Sequence, residues 1–509
     1  MEHPDLAQIA AVAAAAGVAA LLAGRGRVAV LAGLALLVLA EAGLVLAPEG
    51  AGRLDALASP AGALGILFAG ALLAGAAALC VRHPAWVPAA VLLASPLRPP
   101  IALQTSGGFP LALAEDGRLG RLLPLYFVLA AATLALAWRA TRSEQAGGAT
   151  AVRGLPRPVA WPAAAFIGFA SLSLLWARTL DPGVELLAYF TLPFAVLLGV
   201  VARAPLPERS PRVLAVIAIA AGALFAAIGL FQAATRQVFF FEPNLDLSNA
   251  NADYFRVTSL FGDPSLYGRH VVLAIAVVLV ALALRRMDPR AGIGLLALMW
   301  AGLFFSYSQS SMVALVAITL AVAWWTGERQ VRLAVAGTLA VAVLLTGGFI
   351  AAQVIQGASL RRETADRSER VRETARVIGE HPLLGAGIGG QPRESQRLSG
   401  ETSEPTANYV SHTAPLTVAA ELGVIGLGLY VWLLVGGARM IAAVRGLDPG
   451  GGLVLAAAFL GLFVHALFYS GFLEDPLTWV VLGVGAASLG WSRRDDDGAR
   501  RERAVAASG

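Results

Sequence analysis

The sequence predicts an all-α polytopic membrane protein with about 12–15 transmembrane helices and one large polar loop that contains short helices. The chain has 509 residues, of which 57% are hydrophobic and only 14% are charged. A soluble domain would carry roughly a quarter charged residues. Apolar runs of about 16–24 residues recur along the whole chain, close to the length that a membrane crossing requires.

The predicted membrane spans follow one another from the first residues to the last. The first apolar run is predicted to be a retained helix, because the segment before it lacks the basic start of a signal peptide. Two spans, 84–97 and 477–491, are short enough to be half-helices. The fifteen apolar segments are 7–24, 28–47, 60–81, 84–97, 123–138, 158–177, 183–202, 212–233, 270–285, 291–306, 311–326, 332–354, 412–436, 451–470 and 477–491.

The short connections between spans are rich in Arg, and with fifteen spans they all fall on one face, which is therefore predicted to be cytoplasmic. All 38 basic residues are Arg, and Ala and Gly are abundant, which indicates a GC-rich bacterial genome. The expected location is thus a bacterial inner membrane. The predicted organisation is N-terminal transmembrane helices (1–354) with an outer loop at 234–269, a large extracytoplasmic loop (355–411), C-terminal transmembrane helices (412–491) and a cytoplasmic tail (492–509).

Residues 355–411 form the most polar part of the chain, with eight Arg and eight acidic residues. A helix is predicted from Ser368 to Gly379, and its N-terminal amides would attract an anion beside Arg367. The alternative for most of these Arg residues is a solvated helix with ion pairs three or four positions apart.

The outer loop at 234–269 combines aromatic residues with two Arg residues. Arg256 and Arg269 flank a Gly-Asp-Pro turn immediately before a span. The aromatic cluster suits the level of the lipid headgroups, and the alternative for both Arg side chains is snorkelling to lipid phosphates.

Five polar motifs follow one another in the second half of the chain. They are Arg256 with Phe261-Gly262-Asp263-Pro264-Ser265, Arg367, His381-Pro382-Leu383-Leu384-Gly385-Ala386-Gly387, His412 at the start of a span, and Glu421-Leu422-Gly423-Val424-Ile425-Gly426. Their order and spacing resemble the O-antigen ligase / O-antigen polymerase superfamily of bacterial membrane glycosyltransferases. Three positions depart from the family pattern: Thr413 and Ser265 stand where Asn is usual, and the segment Ser308–Ser311 lacks a family Arg.

The resemblance implies a GT-C-like, metal-independent enzyme that needs no cofactor. It would move a glycan, with inversion, from an undecaprenyl-diphosphate carrier to an acceptor hydroxyl on the extracytoplasmic face. His412 is the candidate general base, since an unperturbed His titrates near neutral pH. Arg367, Arg256 and Arg269, in that order, are the candidate ligands of the diphosphate, because a guanidinium donates bidentate hydrogen bonds and stays protonated.

The sequence leaves several alternatives open. The acceptor could be a glycolipid, another lipid-linked repeat unit, as in a polymerase, or a protein side chain. A transporter or flippase of lipid-linked glycans is the alternative from a different class, because many spans with outer Arg residues also suit an anionic cargo. His381 and His465 are expected to have packing or structural roles. No His, Asp or Glu cluster has metal-ligand spacing, and the net charge of +5 is explained by topology without nucleic-acid binding.

Overall fold

The computed structural model describes most of the chain, namely residues 1–48, 60–98, 102–104, 110–112, 122–142, 153–240, 243–251, 254–339, 341, 367–400, 409–469 and 471–490. Helices dominate the described residues. Two three-residue strands, β1 (Ala102–Gln104) and β2 (Pro110–Ala112), pair as an antiparallel hairpin between the fourth and fifth helices.

Eighteen helices are described, and we number them in chain order. The first eight are α1 (Pro4–Ala23), α2 (Gly26–Leu46), α3 (Pro60–Arg82), α4 (Pro84–Ala94), α5 (Leu123–Arg142), α6 (Arg157–Leu175), α7 (Asp181–Val201) and α8 (Ser210–Thr235). The next five are α9 (Pro243–Asn251), α10 (Pro264–Ala283), α11 (Pro289–Phe304), α12 (Gln309–Thr326) and α13 (329–339). The last five are α14 (Arg367–Glu380), α15 (Gln391–Ser399), α16 (Ala414–Leu447), α17 (Pro449–Ala466) and α18 (Pro476–Gly490).

The helices confirm an all-α polytopic membrane protein. Eleven of the described helices are long and apolar enough to cross a membrane, and three shorter ones, α4, α11 and α18, are apolar as well. Each of the fifteen predicted spans coincides with a helix, although α13 covers only the first part of span 332–354 and the rest lies outside the described residues. Hydropathy succeeds here because a helix in lipid must satisfy its backbone internally and expose apolar side chains.

Two apolar cores hold the bundle together. The larger one joins α1, α2, α4, α5, α6, α7, α16 and α18, and the smaller one joins α8, α10, α11 and α12; α17 contributes to both. Many contact positions are Ala, which lets helix backbones approach closely in the absence of a hydrophobic driving force between helices in lipid. By contrast, α3 is almost entirely exposed, with only 6% of its span buried, as expected of a lipid-facing helix.

One end of the bundle is fastened by Arg side chains from the short connections. Arg203 is buried, and its guanidinium donates to the backbone carbonyls of Arg153 (3.0 Å), Gly199 (3.0 Å) and Leu21 (2.7 Å). Burial lowers the pKa of Arg203 to about 10, so the side chain stays charged at neutral pH. Arg153 in turn donates to the carbonyl of Gly490 at the end of α18. The carbonyls of Leu21, Gly199 and Gly490 are among those that helix C-termini leave without partners, and these contacts satisfy them.

Candidate active site

At the end of the bundle opposite Arg203, helices α10, α12 and α16 begin and helix α17 ends. Asp263 caps α10 by accepting hydrogen bonds from Ser265 N (2.6 Å) and Leu266 N (2.9 Å). Ser308 caps α12 through Ser311 N (3.3 Å), and its hydroxyl also contacts Ser265 Oγ at 3.2 Å, which joins the starts of the two helices.

The start of α16 reaches the end of α17 in the same region. Thr413, the residue before α16, donates from Oγ1 to Leu467 O at 3.3 Å, one residue after α17 ends. Three helix N-termini, each with a partial positive charge, therefore meet at this end of the bundle. Such an arrangement favours an anionic ligand.

His465 links α17 to α10 and α12 inside the bundle. The ring is 1% exposed, and Nδ1 lies 3.3 Å from Arg269 Nε and 3.2 Å from Arg269 Nη2. Because Arg can only donate, Nδ1 must accept and the proton of a neutral His465 must be on Nε2. That Nε2 then donates to Ser310 Oγ at 3.1 Å. The expectation of a buried structural environment for His465 matches these contacts.

Arg269 is also buried, and Asp475 neutralises its charge. Its Nη1 forms an ion pair with Asp475 and donates to Gly471 O at 3.0 Å, and its guanidinium lies 5.5 Å from the ring of Tyr469. A cation already matched by a buried carboxylate is less available to a diphosphate than an unmatched one. These contacts favour a structural role for Arg269 over the predicted phosphate contact.

Arg256 has a different environment, with its backbone and part of its side chain held in place. Asn249 on α9 accepts from Arg256 N at 2.9 Å and donates to Arg256 O at 3.1 Å, while Arg256 Nε donates to Ser306 O at 3.3 Å. Ser306 also accepts from Ser308 N at 3.2 Å, so Arg256 is fastened next to the start of α12. Within the described part of the chain, no carboxylate forms an ion pair with this half-buried cation.

His412 lies on an exposed bend, and Gln391 anchors the backbone that leads into it. Gln391 Nε2 donates to Tyr409 O at 2.9 Å, and Gln391 Oε1 accepts from Ser411 N at 3.1 Å. Both Gln391 and Ser411 are buried, so the exposed imidazole is carried by a fixed backbone. The helix predicted to start at His412 begins two residues later, at Ala414.

Arg367 is the first residue of α14, which extends to Glu380 and therefore exceeds the predicted helix 368–379 by one residue at each end. The side chain of Arg367 lies outside the described residues, as do 355–366 and 401–408 of the large polar stretch. The described parts of that stretch contain two short helices, α14 and α15.

The polar stretch is joined to the membrane bundle at a break in α16. Gly423, with φ 65° and ψ −167°, interrupts the helix and leaves backbone groups on both sides without intrahelical partners. The turn after α14 supplies those partners through four backbone hydrogen bonds: Ala386 N to Ala420 O (2.9 Å), Gly387 N to Glu421 O (2.8 Å), Val424 N to Pro382 O (2.8 Å) and Ile425 N to Leu383 O (3.4 Å). We call this backbone pairing of residues 382–387 with 420–425 the interlock.

Two glycines make the interlock sterically possible. Both Gly385 (φ 72°) and Gly423 have positive φ, which L side chains rarely adopt. A Cβ at Gly385 would overlap the backbone of Glu421, and a Cβ at Gly423 would overlap the carbonyl of Leu383. The two glycine-containing motifs of the sequence are thus complementary surfaces of one contact.

Acidic side chains support the interlock from both sides. Glu394 on α15 accepts from Arg397 (2.7 Å) and lies 2.9 Å from His381 Nε2 and 3.3 Å from Arg178. The Arg397 hydrogen bonds, with help from His381 and Arg178, lower the pKa of Glu394 to about 2. The buried carboxyl of Glu421 faces the backbone amides of residues 389 and 391 at the start of α15.

Glu421 and Glu474 line a small cavity of about 70 Å³ behind the interlock. Burial raises the pKa of Glu474, which lies in the connection between α17 and α18. Among the residues that the structure describes, no group of three or more His, Cys, Asp or Glu side chains is placed to hold a metal ion.

Comparison with known protein families identifies part of this region. A family model described as O-antigen ligase matches residues 294–431, which include the start of α12, the interlock and His412. Arg256 and Arg269 lie before the matched segment. The search of curated proteins found no match. Residues 294–431 of this multi-pass membrane protein are therefore similar to the O-antigen ligase family.

Proposed function

We propose that the chain transfers a glycan, with inversion, from an undecaprenyl-diphosphate carrier to an acceptor hydroxyl at the extracytoplasmic face. The family match supports a glycosyltransferase of the O-antigen ligase or polymerase type. The observation that carries the finer proposal is that three helix N-termini meet beside Arg256, a cation that no described carboxylate neutralises. They meet at the end of the bundle that also holds His412.

The diphosphate of the donor would bind where the helices begin. As the bond between the sugar C1 and the phosphate oxygen breaks, its electron pair leaves with the lipid diphosphate and negative charge grows on the phosphate oxygens. Arg256 is held by Asn249 and Ser306 but keeps donors for that charge. Arg367 at the start of α14 is the second proposed ligand, because its helix N-terminus adds to the attraction.

The acceptor hydroxyl must lose a proton as it attacks C1 from the face opposite the diphosphate. His412 is proposed as the base that takes this proton, and a single displacement of this kind inverts the configuration at C1. The exposed imidazole on an anchored bend suits the task, since a base must be accessible to the acceptor yet fixed in position. Arg269 is retained only as the third candidate for the diphosphate because Asp475 already pairs with it.

The orientation of the protein supports an extracytoplasmic site. The Arg residues from the short connections fasten the opposite end of the bundle, as Arg153 and Arg203 show. Under the positive-inside rule that end would face the cytoplasm, so the end with His412 would face outward. A lipid-diphosphate donor on that leaflet requires no nucleotide sugar.

The experiment is transfer in membrane vesicles that contain a lipid-diphosphate glycan donor and an acceptor glycolipid. It scores both released lipid diphosphate and glycosylated product for wild type, His412→Ala, Arg256→Ala and Arg367→Ala at matched expression. Loss of the base should slow transfer about 10²–10⁴-fold. Arg372→Ala is the matched control, since Arg372 is an exposed residue of α14, and it should transfer like wild type.

The outcomes separate the alternatives. Near wild-type transfer by His412→Ala would remove His412 as the base. If wild type consumes no donor while the glycan lipid changes leaflet, the protein is a transporter. Product that forms from the donor lipid alone, without the acceptor glycolipid, would identify a polymerase.

A further inference from the structure

The carboxyl of Glu421 is a buried group that the proposed chemistry does not use. Its backbone belongs to the interlock, where Glu421 O accepts from Gly387 N at 2.8 Å. Its side chain is 8% exposed and hydrogen-bonds with the backbone amides of Gly389 and Gln391 at the start of α15. One residue of α16 therefore holds both the turn and the helix that follows the turn.

The segment 386–391 has a backbone amide at every position, and each of these amides has an acceptor. Two pair with carbonyls of α16 in the interlock, one donates to Ser173 Oγ at 2.9 Å, and one donates to a carbonyl within the segment at 3.0 Å. The remaining two, at 389 and 391, face the carboxyl of Glu421. Buried amides rarely lack a partner, so loss of this carboxyl would force the start of α15 to move.

Gln391 connects the start of α15 to the bend that carries His412. Its side chain is completely buried; Nε2 donates to Tyr409 O at 2.9 Å, and Oε1 accepts from Ser411 N at 3.1 Å. Only one orientation of the amide serves both partners, because a carbonyl can only accept and an N–H can only donate. The position of the bend therefore follows the position of the Gln391 backbone.

Glu421 is itself held in place, on the helix that starts beside the bend. Since α16 begins two residues after His412, the bend is tied to this helix twice, once through the chain and once through Gln391 and Glu421. Glu474 lines the same cavity of about 70 Å³, but its carboxyl hydrogen-bonds with backbone amides of its own connection. Of the two carboxyls in the cavity, that of Glu421 is the one that reaches α15.

We propose that Glu421 is a positioning residue for His412 and that it acts through Gln391. The carboxyl holds the start of α15, and the side chain of Gln391 there holds the bend. The inference rests on the proposed function, because the position of the bend matters for transfer only if His412 is the base. A general base must lie within hydrogen-bond reach of the proton that it takes, and a misplacement of about 1 Å can cost about 10²-fold in rate.

The first test is hydrogen–deuterium exchange of the full chain, purified in detergent and followed by mass spectrometry of peptides that cover the bend, 409–413. Glu421→Leu removes both acceptor oxygens, whereas Glu421→Gln keeps one of them and the size of the side chain. Glu474→Leu is the matched control, since it makes the same change in the same cavity. Thermal unfolding of each variant checks that it is folded.

We expect Glu421→Leu to raise the exchange rate of the Ser411 amide by about tenfold, the scale of one lost buried hydrogen bond. Glu421→Gln should give a smaller rise, and Glu474→Leu should exchange like wild type at the bend. The rise should be confined to the start of α15 and the bend, while α14 keeps its wild-type rate. If Glu421→Leu does not fold, Glu421→Gln and Gln391→Leu supply the same comparison.

The second test is transfer in the membrane vesicles described above. Glu421→Leu should lower kcat by about 10–10²-fold, with partial recovery in Glu421→Gln. The KM values for donor and acceptor should stay near those of wild type, because the lost contact orients a base and binds neither substrate. Gln391→Leu should lower kcat as well. The double variant should lose no more than the worse single variant, because both residues act along one path.

Three results would overturn the inference: wild-type exchange at the bend in Glu421→Leu, an equal rise in exchange throughout α14, α15 and the bend, or losses of kcat that multiply in the double variant. The exchange measurement does not depend on catalysis. If exchange responds as expected but His412→Ala transfers normally, the contact between Glu421 and the bend stands and the proposed base fails. If transfer depends on His412 while Glu421→Leu leaves the bend and kcat unchanged, the proposed function stands and the positioning role fails.

Discussion

Substitution of Gly423 by Ala should detach the polar stretch from the membrane bundle. The native backbone at this position, φ 65° and ψ −167°, lies in a region that is essentially restricted to glycine, and a side chain there costs about 1–3 kcal/mol. The added Cβ would also overlap the carbonyl of Leu383. If the turn withdraws, four backbone hydrogen bonds of about 0.5–1.5 kcal/mol each are lost with it. We therefore expect a destabilisation of about 3 kcal/mol or more.

The assay combines thermal unfolding of the detergent-solubilised protein with the rate of tryptic cleavage in the Arg-rich segment 367–400. Gly428→Ala on the same helix is the control, because apart from the local backbone of its own helix no described atom lies within 4 Å of the added Cβ. Ala in a regular helix is favoured over Gly by about 0.5–1 kcal/mol, so this control should be neutral or slightly stabilised. The reasoning is refuted if Gly423→Ala unfolds at the control temperature and is cleaved no faster than the control.

Two further substitutions test charged groups at the two ends of the bundle. Glu394→Gln should lower stability by about 1–3 kcal/mol at pH 7. Because the folded pKa is depressed to about 2, this contribution is present above the ordinary pKa of 4.5 and lost as pH falls through about 2. Thermal unfolding from pH 7 to pH 2 should show the wild-type advantage vanish, and a pH-independent difference would contradict the ion-pair account. Arg203→Met should destabilise the fold by about 1–3 kcal/mol, since Leu21 O and Gly199 O lose buried donors. Thermal unfolding at neutral pH measures this loss, with Arg393→Ala as the exposed control. Equal stability of the two variants would argue against the role of Arg203.

The helices were predictable from sequence because hydropathy depends on local composition. A lipid-facing helix such as α3 carries its signal in its own residues, whatever packs beside it. The sequence predicts the start of α16 two residues early, because His412 is polar but directly precedes an apolar run. The bend that removes His412 from the helix depends on Gln391, which comes from a different helix and leaves no mark in the local pattern.

The candidate site was less predictable, since its contacts join residues that are far apart in the chain. Asp475 neutralises Arg269 from 206 positions away, and no spacing rule connects them. The same limit applies to the interlock. A glycine inside a predicted span is a sequence signal for an irregular helix, and Gly423 in the motif Glu421-Leu422-Gly423 provides it because glycine weakens helices. Its partner, the turn at 382–387, could not be deduced from that signal.

Two departures from the family pattern lie close together at the start of α12. Ser265 stands where Asn is usual, and its hydroxyl is 3.2 Å from that of Ser308, which directly precedes Gln309 in the segment that lacks the family Arg. The neighbouring Ser310 binds His465, whose other nitrogen accepts from Arg269. The start of α12 therefore brings neutral hydroxyls to the candidate site. Under the proposed function, the positive charge for a diphosphate must then come from Arg256, from Arg367 and from the helix N-termini. Loss of Arg256 should therefore weaken donor binding more than it would in a protein that also had an Arg at the start of α12.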